Sequence, residues 1–397
     1  MAFYEKSIGE IADVTKLAGF EFTKHIKYNE TGEIIALRAL NLRDGELDLS
    51  DIKRIDRSVS EGLTRSKLYK NDILLTYTGN GYGDCALIEE NDKYHLAPNI
   101  CKIVPNPDLV EPYFLYSYIR SNEFYRRMSS NMTGSGQPTI PMKTIRTLKI
   151  PVPEMEVQKK IASILQAINQ KLRTNRAINE NLQQQAQAIF AAEFLNRNDD
   201  LPLGWSKSNL LGIADYLNGL AMQKFRPAEN ETSYPVLKIK ELRQGVCDEN
   251  SERCSTGIKP DYIIHDGDVI FSWSGSLLVD FWCGGTCGLN QHLFKVTSSN
   301  YDKWFYYAWT NHHLQRFIAI AADMATTMGH IKREELSKAE VIIPSTEDYL
   351  RIGGLLRPIY DLIVANRLEN NKLASLRNEL LPKLMNGELD VAEVHYV

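Results

Sequence analysis

The chain is written twice, and this constrains its fold more than any single motif does. IAD at 11–13 and the LxG triplet at 17–19 return as IAD at 213–215 and LxG at 217–219, and Lys24 returns as Lys224. ALRALNLRDGELD (36–48) resembles VLKIKELRQGVCD (236–248), and KNDILLTYTG (70–79) resembles HDGDVIFSWSG (265–275). Further on the offset settles: PYFLY (112–116) over KWFYY (303–307), Ile140 over Ile331, Pro153 over Pro344 and Asn175 over Asn366 all differ by 191 (366 − 175). A drifting offset means loops of unequal length in the front of each unit. A constant one means a rigid back.

The fronts, 1–153 and 198–344, carry short β-rich segments such as ILLTY, VIFSW and LFKV between Gly, Asn and Asp, with one helical patch at YFLYSYIRSNEFYRRM. This predicts two similar mixed α/β domains, an α+β class overall. The backs, 154–197 and 345–390, precede a short tail at 391–397 and step by three or four residues. In the first, Ile161, Ile164, Ile168, Leu172, Asn175, Asn179, Leu182, Ala186 and Ile189 follow this rule. In the second, Ile352, Leu355, Ile359, Ile363, Asn366, Asn370, Leu373, Arg377 and Leu380 do the same, with an interruption expected at Pro358. Two long amphipathic helices follow, each roughly 60 Å at 1.5 Å per residue, and apolar stripes of that length need a partner in water. An antiparallel coiled-coil pair is expected, giving the chain a pseudo-two-fold repeat. Asn175, Asn179, Asn366 and Asn370 then fall on the seam, where a polar side chain penalises wrong registers. The alternative is a seam drawn one residue off, with all four in solvent.

At 397 residues the chain is too long for one ordinary core. No apolar run approaches a membrane span, and MAFYEKSIGEIAD lacks the pattern of a secretory leader, so a cytoplasmic location is expected. A net charge of −4, with no region basic, argues against a freestanding DNA-binding protein. Any nucleic-acid surface must be a local patch, or a partner must supply most phosphate contacts.

No catalytic constellation is found. The sequence contains no Pro-Pro, which excludes the (Asn/Asp)-Pro-Pro-aromatic loop of amino-methyltransferases, and no Gly-Lys, which excludes a phosphate-binding P-loop. Pro-Asp at 107–108 and 260–261 is not followed by the acidic-x-Lys of metal-dependent nucleases. TGNGYG (78–83) looks like a phosphate loop but matches SWSGSL in the repeat, so a tight hairpin turn is expected. Cys247, Cys254, Cys283 and Cys287 lack the spacing of zinc ribbons or fingers; buried free thiols are expected, and no metal. His312-His313 has no ligand partner at metal spacing, and His292 reads as a satisfied structural histidine.

DVIFSWSGSLLVDFWCGGTCGLNQHLFKV (268–296), MGHIKREEL (328–336), TGSGQPTIPMKTIRTLKIPVPEMEVQKKIASIL (133–165), LPLGWSKSNLLGIAD (201–215) and LLPKLMNGELD (380–390) resemble the specificity subunit of type I restriction-modification systems, in order and over nearly the whole chain. The resemblance implies a non-catalytic DNA-binding subunit. Each target-recognition domain would read one half of a bipartite sequence in double-stranded DNA, and the helices would set the spacer and dock two methyltransferase subunits. A restriction subunit can join. S-adenosylmethionine, ATP and Mg would then sit on partner subunits, with no cofactor on this chain. The other function class compatible with the residues is a protein-interaction scaffold of two globular domains on a coiled-coil strut, distinguished by the salt dependence of DNA binding.

Arg and Lys suit guanine edges, Asn and Gln suit adenine edges, and Ser, Thr and Tyr mostly reach phosphates. The candidate readers in the first domain are Arg65, Lys67, Tyr77, Asn80, Tyr82, Ser135, Gln137 and Lys143. In the second they are Lys240, Trp273, Ser274, Thr326, Thr327, His330, Lys332 and Arg333. QAQAIFAAEFL (185–195) is more apolar than one seam requires, which marks Ile189 and Phe190 as a partner-docking surface.

Overall fold

The structure, a computed structural model, describes residues 2–79, 81–132, 139–196, 201–323 and 331–391. The chain forms two compact units, Met1–Gln170 with Ala374–Val397, and Lys171–Leu373. Two long helices, Met155–Phe190 and Thr346–Met385, each contribute a stretch to both units.

In the first unit a four-stranded antiparallel sheet has the order Ala12–Lys16, Ile100–Pro105, Ile73–Thr76, Cys85–Leu87. The run ILLT is buried at all four positions, so its alternating side chains feed two cores. Ile73 and Leu75 join Phe114 and Tyr118 of the Pro112–Ile119 helix, together with Ile161, Ala162 and Leu165 of the first long helix and Leu384 and Met385 of the second. Leu74 faces the opposite core, formed by the sheet Lys53–Ile55, Ile34–Leu37, Tyr94–Leu96. Asp44 and Gly45, at φ 54° and 82°, close the hairpin between Leu42–Arg43 and Glu46–Leu47. Two successive positive φ angles match the twist of the flanking strands, which is why Asp-Gly serves here. Phe3–Ser7 pairs with Lys149–Pro153 and brings the two ends of the front domain together.

The second unit repeats this topology. Asp215–Asn218, Leu293–Thr297, Val269–Ser272 and Leu278–Phe281 form the four-stranded sheet in the same order, and Ser206–Asn209 pairs with Glu340–Ile343. Val269 and Phe271 enter a core with Trp304, Phe305 and Phe317, while Ile270 enters the other with Leu237 and Leu289. The registers equate the two sheets residue by residue. Lys102 lies opposite Leu74 and Lys295 opposite Ile270, and the Asp two positions before each of those residues receives the lysine: Lys102–Asp72 at 3.7 Å and Lys295–Asp268 at 3.0 Å. Each ammonium also donates to a backbone carbonyl, of Lys67 at 2.8 Å and of Ile263 at 3.0 Å. A charge removed from water needs both a counter-ion and hydrogen bonds, and each domain provides them with the same residue types.

Two local expectations change. Pro358 does not interrupt the second long helix, which is continuous through it. The residue four back, whose carbonyl a proline ring crowds in a regular helix, is Gly354. The seam at its start is also one residue out of phase: Leu355 is 46% exposed, whereas Leu356 is buried with Ile352 and Tyr360. At Gly353 the helix approaches the Trp304 indole so closely that a Cβ would lie 3.0 Å from Nε1. TGNGYG joins the antiparallel strands Ile73–Thr76 and Cys85–Leu87 and opens no helix, as SWSGSL joins Val269–Ser272 to Leu278–Phe281. Among the described residues no helix is long and apolar enough to cross a membrane.

Candidate nucleic-acid interface

In each of the two sheets of matching order an aromatic residue directly follows a central strand. Tyr77 follows Ile73–Thr76 directly and Trp273 follows Val269–Ser272 directly. Their backbone carbonyls accept from corresponding amides, Ile140 N at 2.9 Å and Ile331 N at 3.1 Å, which fixes both aromatics at the same point of the repeat. The Lys16 ammonium lies 5.1 Å from the centre of the Tyr77 ring, within cation–π range. The Trp273 indole N–H donates to Asn218 Oδ1 at 3.0 Å, and the ring has His292 beside it at 6.0 Å. Tyr82 stacks on Tyr125 with ring centres 5.3 Å apart, and the Tyr125 hydroxyl donates to that of Tyr82.

The other sequence candidates fall into distinct groups. Arg65, Lys143 and Lys332 are exposed, and none of their charged ends makes a hydrogen bond or ion pair among the described residues. Lys67 is held by Asp92 at 2.6 Å, and Lys240 by Asp248 at 3.2 Å. One candidate needs correction as a base reader: Ser274 is buried at the strand end. Arg333 is exposed, with one guanidinium nitrogen, Nη1, donating to the Tyr216 carbonyl at 2.9 Å. Asn80, Ser135, Gln137, Thr326, Thr327 and His330 lie outside the described residues.

The four asparagines face the opposite helix within the second unit. Asn366 Nδ2 donates to Asn179 Oδ1 at 2.9 Å, and Asn179 Nδ2 donates to the Ile363 carbonyl at 3.1 Å. Asn175 Nδ2 donates to Asn370 Oδ1 at 3.0 Å and to Glu369 at 2.7 Å, a contact that lowers the Glu369 pKa ahead of the contribution from Lys171. Residue numbers rise on one helix as they fall on the other, so the pair is antiparallel here. The first unit has its own contact of this kind, Arg377 donating to Asn169 Oδ1 at 3.0 Å, and Asn169 donating to the Tyr113 hydroxyl at 2.8 Å.

Phe190 does not form a docking surface. It is buried, packed on Phe194 and edge-on to Trp309, and Ile189 is partly buried against the same core. The apolar excess of 185–195 serves the second unit's own interior, assisted by a π-helical turn over Ala191–Leu195 that presents Phe194 inward. The six cysteines are free, five of them buried. His313 is buried and bonded through Nε2 to the Glu340 carbonyl at 2.8 Å, and burial holds its pKa down at about 4. His292 is less satisfied than expected, since its buried Nδ1 has no hydrogen-bond partner among the described residues.

A model of the type I restriction modification DNA specificity domain matches residues 3–184 and again 202–377, covering both copies of the repeat. The chain belongs to this family. Its relatives include the type I restriction enzyme MjaIX specificity subunit of Methanocaldococcus jannaschii, 26% identical with 74% of this chain and 72% of that protein covered. The HindI specificity subunit of Haemophilus influenzae is 21% identical over 97% of this chain and 99% of its own length. The EcoKI specificity subunit of Escherichia coli is 24% identical over 96% and 89%. Among solved structures, the S subunit of a type I restriction-modification system from M. genitalium shares the fold, with a TM-score of 0.62 at 14% identity, covering 97% of this chain and 96% of that one. Within this specificity-domain chain, Lys16 and Asn218, which are not among the sequence candidates, touch the aromatics at the sheet ends. Both lie at strand ends. The strand registers set IADVTK (11–16) on IADYLN (213–218), two residues off the match of LxG at 17–19 to LxG at 217–219 that the sequence suggests.

Proposed function

We propose that this chain is the DNA sequence-specificity subunit of a type I restriction-modification complex, each front domain reading one half of a bipartite site. The long helices set the spacer and dock two methyltransferase subunits, and restriction subunits can join them. S-adenosylmethionine, ATP and Mg belong to those partners. The supporting observation is the repeat itself: two domains of one topology, in a chain that matches the specificity-domain family twice, with different side chains at equivalent sheet ends. One domain built twice suits one task done twice, and divergent ends suit different targets. The acidic balance fits a subunit that supplies base contacts while partners hold much of the phosphate backbone.

Methylome sequencing of cells expressing the chain with its methyltransferase tests this. A new split motif is expected, with half-site centres about 34 Å apart on one face of the duplex. A continuous motif, or none, overturns the reading. For a protein-binding scaffold, the assembled complex would show no steep fall of DNA affinity with salt.

A further inference from the structure

The sheet registers allow each position of one domain to be compared with its counterpart in the other. Lys102, opposite Thr15, corresponds to Lys295, opposite Leu217, so Lys16 corresponds to Asn218. On the strand that carries the aromatic the chemistry is kept: Thr76 matches Ser272, Tyr77 matches Trp273, Thr78 matches Ser274, and the Lys–Asp pair is repeated, whereas on the outer strand Thr15 gives way to Leu217 as Lys16 does to Asn218. Lys16 and Asn218 are both exposed, and both touch the retained aromatic. Here a cation is exchanged for a neutral amide. The Lys16 ammonium makes no hydrogen bond or ion pair among the described residues, and Asn218 Nδ2 makes no hydrogen bond among them, its Oδ1 accepting only the indole N–H.

The phosphate backbone is the same at two half-sites, whereas the bases differ. A phosphate-holding position in a duplicated domain has reason to keep its charge. A base-reading position has reason to change. Lysine donates to guanine O6 and N7, and asparagine pairs bidentately with adenine N6 and N7. The geometry points to Lys16 and Asn218 as specificity-determining residues, Lys16 reading a guanine in one half-site and Asn218 an adenine in the other. The aromatic beside each holds the side chain out from the strand end, Tyr77 through its ring face and Trp273 through its N–H. This rests on the DNA-reading function proposed above.

The test begins with the motif of the unaltered chain, whose absence would defeat the proposed function rather than this assignment alone. With a split motif in hand, Lys16→Asn should change one position of one half-site from guanine to adenine. Asn218→Lys should make the opposite change in the other half-site, leaving all other positions intact. Unchanged motifs in both variants overturn the assignment. A contact-level check does not need the swapped chains to remain active. Binding of the complete complex to a duplex with 7-deazaguanine at the assigned guanine should weaken roughly 5- to 150-fold for the unaltered chain. With Lys16→Ala the same replacement should have no further effect. If Lys16→Ala instead weakens binding equally for all sequences and leaves the 7-deazaguanine penalty in place, Lys16 holds a phosphate and the assignment fails.

Discussion

Asn179 has both ends of its amide engaged across the helix pair, by Asn366 and by the Ile363 carbonyl, in a nearly dry setting. Removing one member of such a pair leaves the other buried and unsatisfied, which costs more than the hydrogen bond contributes. Asn179→Leu should therefore destabilise the second unit by about 1–3 kcal/mol in urea unfolding. Adding Asn366→Leu should recover most of that loss, and a double mutant less stable than the single would contradict the account. Replacing Asn175, Asn179, Asn366 and Asn370 together should stabilise the pair but loosen the methylated spacer, because apolar seams tolerate several registers. His95 shows a different residue-scale effect. It is fully buried, bonded through Nδ1 to Ser60 at 3.0 Å, and burial, with Lys102 adding to it, lowers its pKa from 6.5 to about 4. The unfolded chain takes up this proton near pH 6.5 and the folded one only near pH 4. Stability is therefore complete above pH 6.5 and falls between these values, by up to about 1.4 kcal/mol per pH unit. Hydrogen exchange of the first unit at pH 5 and 7.5 should show this loss, and His95→Gln should flatten it.

At the level of elements, helical phase decides what an apolar side chain is for. Phe190 and Ile189 look surplus to one seam because the seam is not their only neighbour: Phe194, Trp309 and Phe305 form an aromatic cluster around that helix end. Phe190→Ala should cost about 3–5 kcal/mol and open the second unit to protease, whereas a docking residue would leave the fold untouched. The exposure of Leu355 against the burial of Leu356 has the same origin. Alternating steps of three and four fit more than one phase, and only the packed partner selects among them. Proline spacing misleads as well, since the second long helix runs through Pro358 unbroken.

At the scale of the molecule, duplication separates what can vary from what must not. The paired Asp–Lys, the order of the sheet that holds this pair and the terminal strand pairings recur in both domains, while the second sheet, loop lengths and exposed ends differ. Exchanging residues 201–344 for the equivalent segment of another family member should change one half-site of the methylated motif and leave the other intact. A change in both halves would show that the domains do not read independently.

The repeat, the two long helices and the absence of familiar catalytic loops were legible in the residues, because duplication and helical periodicity are written along the chain. Base-reading candidates such as Arg65 and Lys143 could be named from chemistry, yet Arg333 and Lys67 could not be told apart from them. Whether a cation points outward or braces a carbonyl depends on residues more than a hundred positions away, as Arg333 and Tyr216 show. Sequence by itself determined the elements and their duplication. Tertiary structure alone decided which polar groups the fold consumes, because hydrogen bonds and ion pairs are settled by proximity in space.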